Sequence, residues 1–264
     1  MLIKCIFKLC LVLSLLLSYF NAVEASEPKS LIFSVNSPGS QPYLYLDPTS
    51  KNYVGVVPDL FKELEKKGLF KAVFVDSNQS RSEQFVIAGK VDLYLAHLGW
   101  LKQPSKLISS IPIAQHLSFL YSLTPFENDF SLANIANKRV CTHQEFVYIG
   151  IEDFFKLKTL VRVDSSGHTR MASMLAKGRC DYAAMNDYKA TIIFSAPEFC
   201  HFSIYQSPQA TSDIELAFVM RPVLHEVKSV IDKQLNAFIT SGEITASVLS
   251  HSPKPIFPKQ ASCN

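Results

Sequence analysis

The sequence predicts an α/β protein made of two similar lobes, each a mostly parallel sheet flanked by helices. Strand-like and helix-like runs alternate over 29–96 and again over 138–185, an order typical of parallel sheets covered by helices. The two halves also echo each other, since "FVIAGKVDLYLAH" (85–97) and "SMLAKGRCDYAAMN" (173–186) both end a helix near Gly and begin a strand with x-Asp. Two lobes of the same construction follow from these observations.

The first unit is predicted as strand, helix, strand, helix, strand, over 29–36, 57–68, 71–77, 80–88 and 91–96. Pro58 and Asp59 suit the first turn of its first helix, and Gly68 suits the end of that helix. Ser80 with Glu83 predicts a capping box at the start of the second helix. The turn-rich stretch 37–55 separates the first strand from the first helix.

The second unit repeats this order, with strands predicted over 138–142, 158–164 and 180–185 and helices over 145–156 and 166–177. Ser165 or Ser166 is the expected cap of the second of these helices, and Gly178 its end. A further strand (214–220), a long amphipathic helix (223–242) and a short helix (243–251) follow. The Pro-rich tail (252–264) is expected to be extended and held down by Cys263.

The N-terminal stretch 1–25 has the composition of a cleavable secretory signal peptide. Lys4 and Lys8 precede an apolar run over 9–17, and small residues end at Ala25. The alternative is a membrane anchor, for which the apolar run is short. Cleavage after Ala25 would leave a periplasmic chain that begins at Ser26, with lobe 1 over 26–122, lobe 2 over 123–214, and a return to lobe 1 over 215–251.

Charge and cysteine content narrow the function classes. The net charge is +3 with the basic residues scattered, which argues against a nucleic-acid partner. Catalytic-triad, nucleotide-loop and HExxH motifs are not found, and no cofactor or metal is expected. The irregular cysteine spacing argues against zinc. An exported chain can oxidise its cysteines, and three pairings are open for the four that follow the leader: Cys141, Cys180, Cys200 and Cys263.

The order of these motifs resembles the periplasmic solute-binding proteins of amino-acid-type ABC transporters (family 3, type II periplasmic-binding fold). The resemblance rests on "QPYLYLD", "YVGVVPDLFKEL", "IAGKVDLYLAHL", "LISSIPI", "LAKGRCDYAAMND" and "NAFITSGEITASVLSH". It covers essentially all of 30–250. The resemblance implies two α/β lobes joined by crossing segments, a ligand cleft between them, and hinge closure on the ligand like a Venus flytrap.

The loop after "VDLYLA" departs from the pattern that this family usually shows. The family supplies small hydroxyl residues there, followed by an Arg that clamps the ligand's α-carboxylate. Here the hydroxyl positions are Ala96, His97 and Gly99, and the Arg position falls on Gln103 or Pro104. Half of the usual clamp for an amino acid is therefore replaced.

The other half of that clamp is replaced as well. The family's second-lobe Asp, which takes the α-amino group, falls on Asn186. Losing two charge-assisted contacts costs about a hundredfold in affinity, so an ordinary α-amino acid in the ordinary pose is not expected. The alternative is substitution, by Asp187 for the Asp and by Lys102 or Lys106 for the Arg, although a Lys lacks the planar fork.

Aromatic and polar side chains are the remaining candidates for ligand contact. Tyr43 matches the family's first-lobe aromatic residue, and Trp100 could form a second flat wall or pack its loop onto lobe 1. His97 could bind a ligand or cap the strand end. His143 and Gln144 lie where the family has an anion-binding turn.

The resemblance predicts a monomeric, non-enzymatic binding protein that captures a small polar solute and delivers it to the membrane permease of an ABC transporter. Two alternatives stay open. The first is a periplasmic dehydratase-like enzyme of the same fold, which would need a positioned acid and anion-binding Arg residues, of which the cleft loops offer only Arg170. The second is a solute-sensing module that signals to a partner.

Overall fold

The computed structural model describes residues 27–144 and 146–263. The predicted signal peptide lies outside these residues and stays a prediction. Within the described part of the chain, no helix is both long and apolar enough to cross a membrane.

The described residues form a mixed α/β structure. Its helices are α1 (Val56–Lys66), α2 (Gln79–Ile87), α3 (Glu152–Lys156), α4 (His168–Ala176), α5 (Asp187–Phe194), α6 (His225–Thr240) and α7 (Glu243–His251). Its strands are β1 (Lys29–Asn36), β2 (Gly39–Ser40), β3 (Leu44–Leu46), β4 (Tyr53–Val54), β5 (Phe70–Ser77), β6 (Leu93–Ala96), β7 (Ile108–Ser109), β8 (Ala114–Ser122), β9 (Arg139–His143), β10 (Val161–Ser165), β11 (Tyr182–Asn186), β12 (Tyr205–Gln206) and β13 (Ser212–Met220).

A continuous sheet links the two lobes, in the strand order β10-β9-β11-β8-β13-β6-β1-β5. Lobe 1 is the β6-β1-β5 end and lobe 2 the β10-β9-β11 end, and within each end the neighbouring strands are parallel. The long strands β8 and β13 pair antiparallel with each other in the middle. Because both strands extend into both lobes, they are the crossing segments of the fold.

Each lobe has its own apolar core. In lobe 1, α1 buries Leu60, Phe61 and Leu64 against Phe33 of β1 and Phe218 of β13, and the spacing of these three residues places them on one face of the helix. Lobe 2 packs α4 and α5 around a core whose buried members include Tyr121, Cys141, Met171, Phe194 and Phe199. The turn-rich stretch 37–55 holds the small sheet β2-β3-β4.

Three local expectations are wrong. The helix predicted over 145–156 forms only as α3, because Gly150 lies at φ +94° and a Cβ there would stand 1.8 Å from Thr211 O. The cap of α2 is Asn78, which accepts from Arg81 N–H, in place of Ser80. The cap of α4 is Gly167, in place of Ser165 or Ser166.

The four cysteines of the described residues form two disulfides, Cys141–Cys180 and Cys200–Cys263. The first lies within lobe 2, between β9 and the start of β11. The second disulfide fastens the C-terminal tail to lobe 2, in agreement with the expectation that Cys263 holds the tail down. Phe257 of this tail packs on Tyr121 at 4.8 Å between ring centroids. The tail therefore runs from α7, which packs on lobe 1, to the core of lobe 2.

Candidate ligand-binding site

A cavity of about 460 Å³ lies between the two lobes. The segments that line it follow the carboxyl ends of parallel strands in both lobes: 36–43 after β1, 146–149 after β9, and 166–168 after β10. The ends of β11 and the crossing strands β8 and β13 complete the wall. Ligands of open α/β sheets bind at such strand ends, and the volume lies in the range of small-molecule sites.

Aromatic rings from lobe 1 form one wall. Tyr43 is buried, and its hydroxyl donates to Gln115 O at 2.6 Å, so its polar end is already satisfied. Trp100 stands edge-on to His116 with 5.8 Å between ring centroids. His116 also lies 5.8 Å from the Tyr43 ring. Tyr43 and Trp100 therefore form an aromatic wall together with His116 of the crossing strand β8, and the Trp100 ring stands nearly perpendicular to the His116 ring.

The loop that carries Trp100 is held in place by a buried acid. Glu83, on α2, is 5% exposed and accepts from the N–H groups of Lys102 (3.0 Å) and Gln103 (2.7 Å). Its carboxylate, predicted to cap α2, is thus used to position the cleft loop. Trp100 N–H donates to His97 O at 3.0 Å, which closes the short turn between them.

The facing loop of lobe 2 is positioned by Arg162 of β10. Its guanidinium donates to His143 O (3.3 Å) and Phe146 O (2.9 Å) and pairs with Asp164. The Tyr148 hydroxyl accepts from His143 N–H at 2.6 Å. Residues 146–149 are thereby held as a loop that reaches the cleft, where a helix was predicted.

Asn186 ends β11 at the cavity and has a structural role. Its Oδ1 accepts from Lys189 N–H (3.2 Å), which caps α5, and its Nδ2 donates to Leu117 O (2.9 Å) and Asp187 Oδ1 (3.0 Å). Its hydrogen-bonding groups are therefore largely engaged within the protein. Asp187 accepts a second bond, from Tyr188 N–H (2.8 Å).

Titratable groups line the lobe 2 side. Burial, together with repulsion from nearby His97 and Lys189, lowers the pKa of His116 to about 4. Burial likewise lowers the pKa of His168 to about 3, with added repulsion from Lys189, His143 and His116. Burial also lowers the pKa of Lys189. At neutral pH, His116 and His168 are uncharged.

The predicted site residues divide into two groups. Tyr43, Trp100, His143 and Asn186 line the cavity, whereas the structure places five others outside its lining: Ala96, His97, Gly99, Gln144 and Asp187. Ala96 is buried in the lobe 1 core, and His97 Nδ1 lies 2.9 Å from Glu215 O. Gly99 contacts the opposite lobe, since a Cβ there would lie 2.8 Å from Ile149 Cδ1.

Sequence reasoning missed three basic residues of the cavity: His116, His168 and Lys189. His116 lies on β8, for which no strand was predicted, and Lys189 lies on α5, for which no helix was predicted. His168 lies two residues after Ser166, one of the two predicted serine caps, and its position at a helix start after a parallel strand is the signal that sequence reasoning could have used. The suggested substitutes for the Arg, Lys102 and Lys106, are exposed and lie outside the lining.

No protein-family model matches the chain, and no curated protein shows a significant sequence match. Solved structures do share its fold. The probable amino-acid ABC transporter extracellular-binding protein ytmK from Bacillus subtilis is 16% identical over 85% of this chain and 98% of that chain, with a TM-score of 0.69. The ligand-binding core of GluR0 in complex with L-glutamate is 14% identical over 85% and 98%, with a TM-score of 0.68.

A third similar structure is the amino acid ABC transporter substrate-binding protein AbpA from Streptococcus pneumoniae bound to L-arginine. It is 17% identical over 84% of this chain and 93% of that chain, with a TM-score of 0.63. These likenesses establish the class of fold. The chain has the two-lobed type II periplasmic-binding fold, with the cavity between its lobes, and the prediction of this fold is confirmed.

Proposed function

We propose that this chain is an exported solute-binding protein, which captures a small solute between its lobes and delivers it to the membrane permease of an ABC transporter. The observation that carries the proposal is the cavity of about 460 Å³, to which both lobes and both crossing strands contribute. A ligand held there touches both lobes at once, so binding and lobe closure are coupled.

Similar structures support this assignment. Two of the three named above are described as binding proteins of amino acid ABC transporters, and the third as a ligand-binding core. The transport role, the periplasmic location and the permease partner are transferred from that likeness.

The dehydratase alternative is less well supported by the cavity. A general acid has to be protonated near the working pH. His116 and His168 lie at the cavity with pKa values of about 4 and about 3. Neither ring is a proton donor of that kind at neutral pH, whereas both can accept or donate hydrogen bonds to a bound solute.

The test is a thermal-shift screen of the chain from Ser26 onward, oxidised, against amino acids, amines, organic acids, nucleosides and small sugars. A ligand at a hundred times its Kd stabilises by about 2.7 kcal/mol. We expect at least one class to raise the Tm of the wild-type protein. If no compound of any of the five classes raises the Tm, the proposal of solute capture is contradicted.

A variant that fills the cavity tests whether the ligand binds there. A Cβ added at Gly167, which lines the cavity, meets nothing within 4 Å, so Gly167→Phe can direct a ring into the open space. Thr169→Phe, at an exposed position of the same helix start, is the matched control. We expect the ligand to raise the Tm of Thr169→Phe and to leave the Tm of Gly167→Phe unchanged. Equal shifts in both variants would place the ligand elsewhere.

A further inference from the structure

The formally charged side chains that line the cavity are of one sign. Among the described residues, Lys189 is the one Lys or Arg that lines it, and neither Asp nor Glu lines it. The Lys189 ammonium has one hydrogen bond to a described residue, 3.4 Å to Gly39 O of the opposite lobe. No described carboxylate lies within 4.0 Å of it. A half-buried cation therefore faces the cavity without a described carboxylate beside it.

The position of Lys189 in its helix makes this arrangement costly. Lys189 is the third residue of α5, and the first turn of a helix favours anions and disfavours cations. Burial adds a second penalty, which lowers the pKa of this ammonium. A negatively charged ligand would offset both costs, because it would supply the missing counter-charge inside the cavity.

A ligand ammonium finds no equivalent partner. The side chain of Asn186, where the family has its amino-group acceptor, is engaged in capping α5 and in bonds to Leu117 O and Asp187. Asp187 lies outside the lining, and its carboxylate accepts from Asn186 and from Tyr188 N–H. An α-ammonium group in this cavity would face Lys189 and the neutral His116 and His168, and no carboxylate among the described lining residues could pair with it.

The rest of the wall is suited to an apolar body with an acidic end. Tyr43 and Trp100 offer ring surfaces on one side, and Phe146 lies on the other. His116 Nδ1 lies 3.4 Å from Asn186 Nδ2, and the neutral His116 ring carries one N–H group. That N–H can donate to an anionic oxygen near Lys189.

We propose that the ligand is a small organic acid whose carboxylate pairs with Lys189 and whose flat or apolar body rests against Tyr43 and Trp100, and which lacks the α-ammonium group of an amino acid. The proposal rests on the proposed function of solute capture and specifies its ligand class.

The experiment compares compounds that share one apolar body and differ in whether they carry a carboxylate, an ammonium group or both. The first set is 3-phenylpropanoate, L-phenylalanine and 2-phenylethylamine, and the second is 3-(indol-3-yl)propanoate, L-tryptophan and tryptamine. Thermal shift and titration calorimetry are run on wild type, Lys189→Met and Lys177→Met, an exposed lysine of the same lobe. We expect the carboxylate-only member to bind best in at least one set and the amine not at all.

Lys189→Met should weaken carboxylate binding by about ten- to a hundredfold, as for loss of a charge-assisted bond, while Lys177→Met stays within about twofold of wild type. Tighter binding of the amine or the amino acid, or no binding in either set, would overturn the ligand class. If another class still raises the Tm in the wider screen, solute capture stands without this proposal. If no class does, both fail, and the wild-type measurements decide this whether or not Lys189→Met folds.

Discussion

The strands that deliver the two cleft loops begin alike and end differently. Asp92, just before β6, donates its N–H to Ile32 O and accepts Ile32 N–H on its carboxylate (2.9 and 2.8 Å). Asp181, just before β11, does the same with Arg139 (2.8 and 2.7 Å). The repeated x-Asp thus fastens each strand to its parallel neighbour, and it belongs to the scaffold.

The chain segments that follow the carboxyl ends of these two strands do not repeat each other. After β6 the chain turns through Trp100, an apolar wall held by Glu83. After β11 it enters α5, which brings Lys189 to the cavity. The comparison teaches that the internal repeat in the sequence marks what builds each lobe, while ligand chemistry lies in the segments that do not repeat.

The largest expected effect concerns a covalent difference between the lobes. Counted from the repeated bonds, Cys141 and Cys180 of lobe 2 correspond to Ser34 and Val91 of lobe 1. Their disulfide closes a separation of 39 residues, so removing it with a Cys141→Ala, Cys180→Ala double variant should cost about 4 kcal/mol in the free energy of unfolding. Urea unfolding measures this loss.

The lobe 1 counterpart is the control for that experiment. Ser34→Ala removes one buried hydrogen bond, from Ser34 Oγ to Ser82 Oγ (2.8 Å), and should cost about 1 kcal/mol. A double cysteine variant no less stable than Ser34→Ala would show that the disulfide stabilises lobe 2 by no more than one buried hydrogen bond, which contradicts the prediction.

The second prediction tests whether the two aspartates are equivalent. Asp92→Ala and Asp181→Ala each remove a charged acceptor of a backbone N–H, so each should lower the free energy of unfolding by about 2 kcal/mol. Asp153→Ala is the control, because its ion pair with Lys156 is exposed and should contribute less than about 0.5 kcal/mol. If one aspartate behaves like the control while the other does not, the two strand starts are not equivalent.

Local patterns are enough to predict most of the scaffold. Leu60, Phe61 and Leu64 fall on one helix face in the sequence and are all buried in the structure. The same holds for the parallel strands, whose apolar runs and flanking Gly residues are signals carried by the neighbouring sequence. The predicted helix at 145–156 shows the limit, because its loss depends on the close approach of Gly150 to Thr211, 61 positions away.

The cavity could be predicted only in part, since its chemistry depends on distant pairings. Tyr43 and Trp100 follow recognisable strand and turn signals. His116 reaches the cavity because β8 pairs with β13, where it lies opposite Ile214. Lys189 in isolation resembles a solvated lysine, and only the packing of α5 against the other lobe brings it to Gly39. The lobe 2 side of the site was therefore the part that sequence patterns could not show.

The smallest expected effect is on the pH dependence of the free energy of unfolding, to which buried groups on the lobe 2 side of the cavity contribute. The pKa of His168, lowered by burial to about 3, lies below the value of about 6.5 expected in the unfolded chain. The unfolded chain therefore takes up the proton first, and stability falls as the pH drops from about 6.5 toward 3. His116 acts in the same sense, and Asp187, whose pKa burial raises, acts in the opposite one.

A single substitution isolates the share of His168. Lys189, His143 and His116 face this ring and repel its charged form, so His168→Phe should reduce the loss of unfolding free energy between pH 7 and pH 5 by about 1–2 kcal/mol. His225→Asn, at an exposed position of α6, should leave that loss as in wild type. Urea midpoints at the two pH values measure both variants. An unchanged loss in His168→Phe would mean that this ring titrates alike in the folded and unfolded chain, which contradicts the prediction.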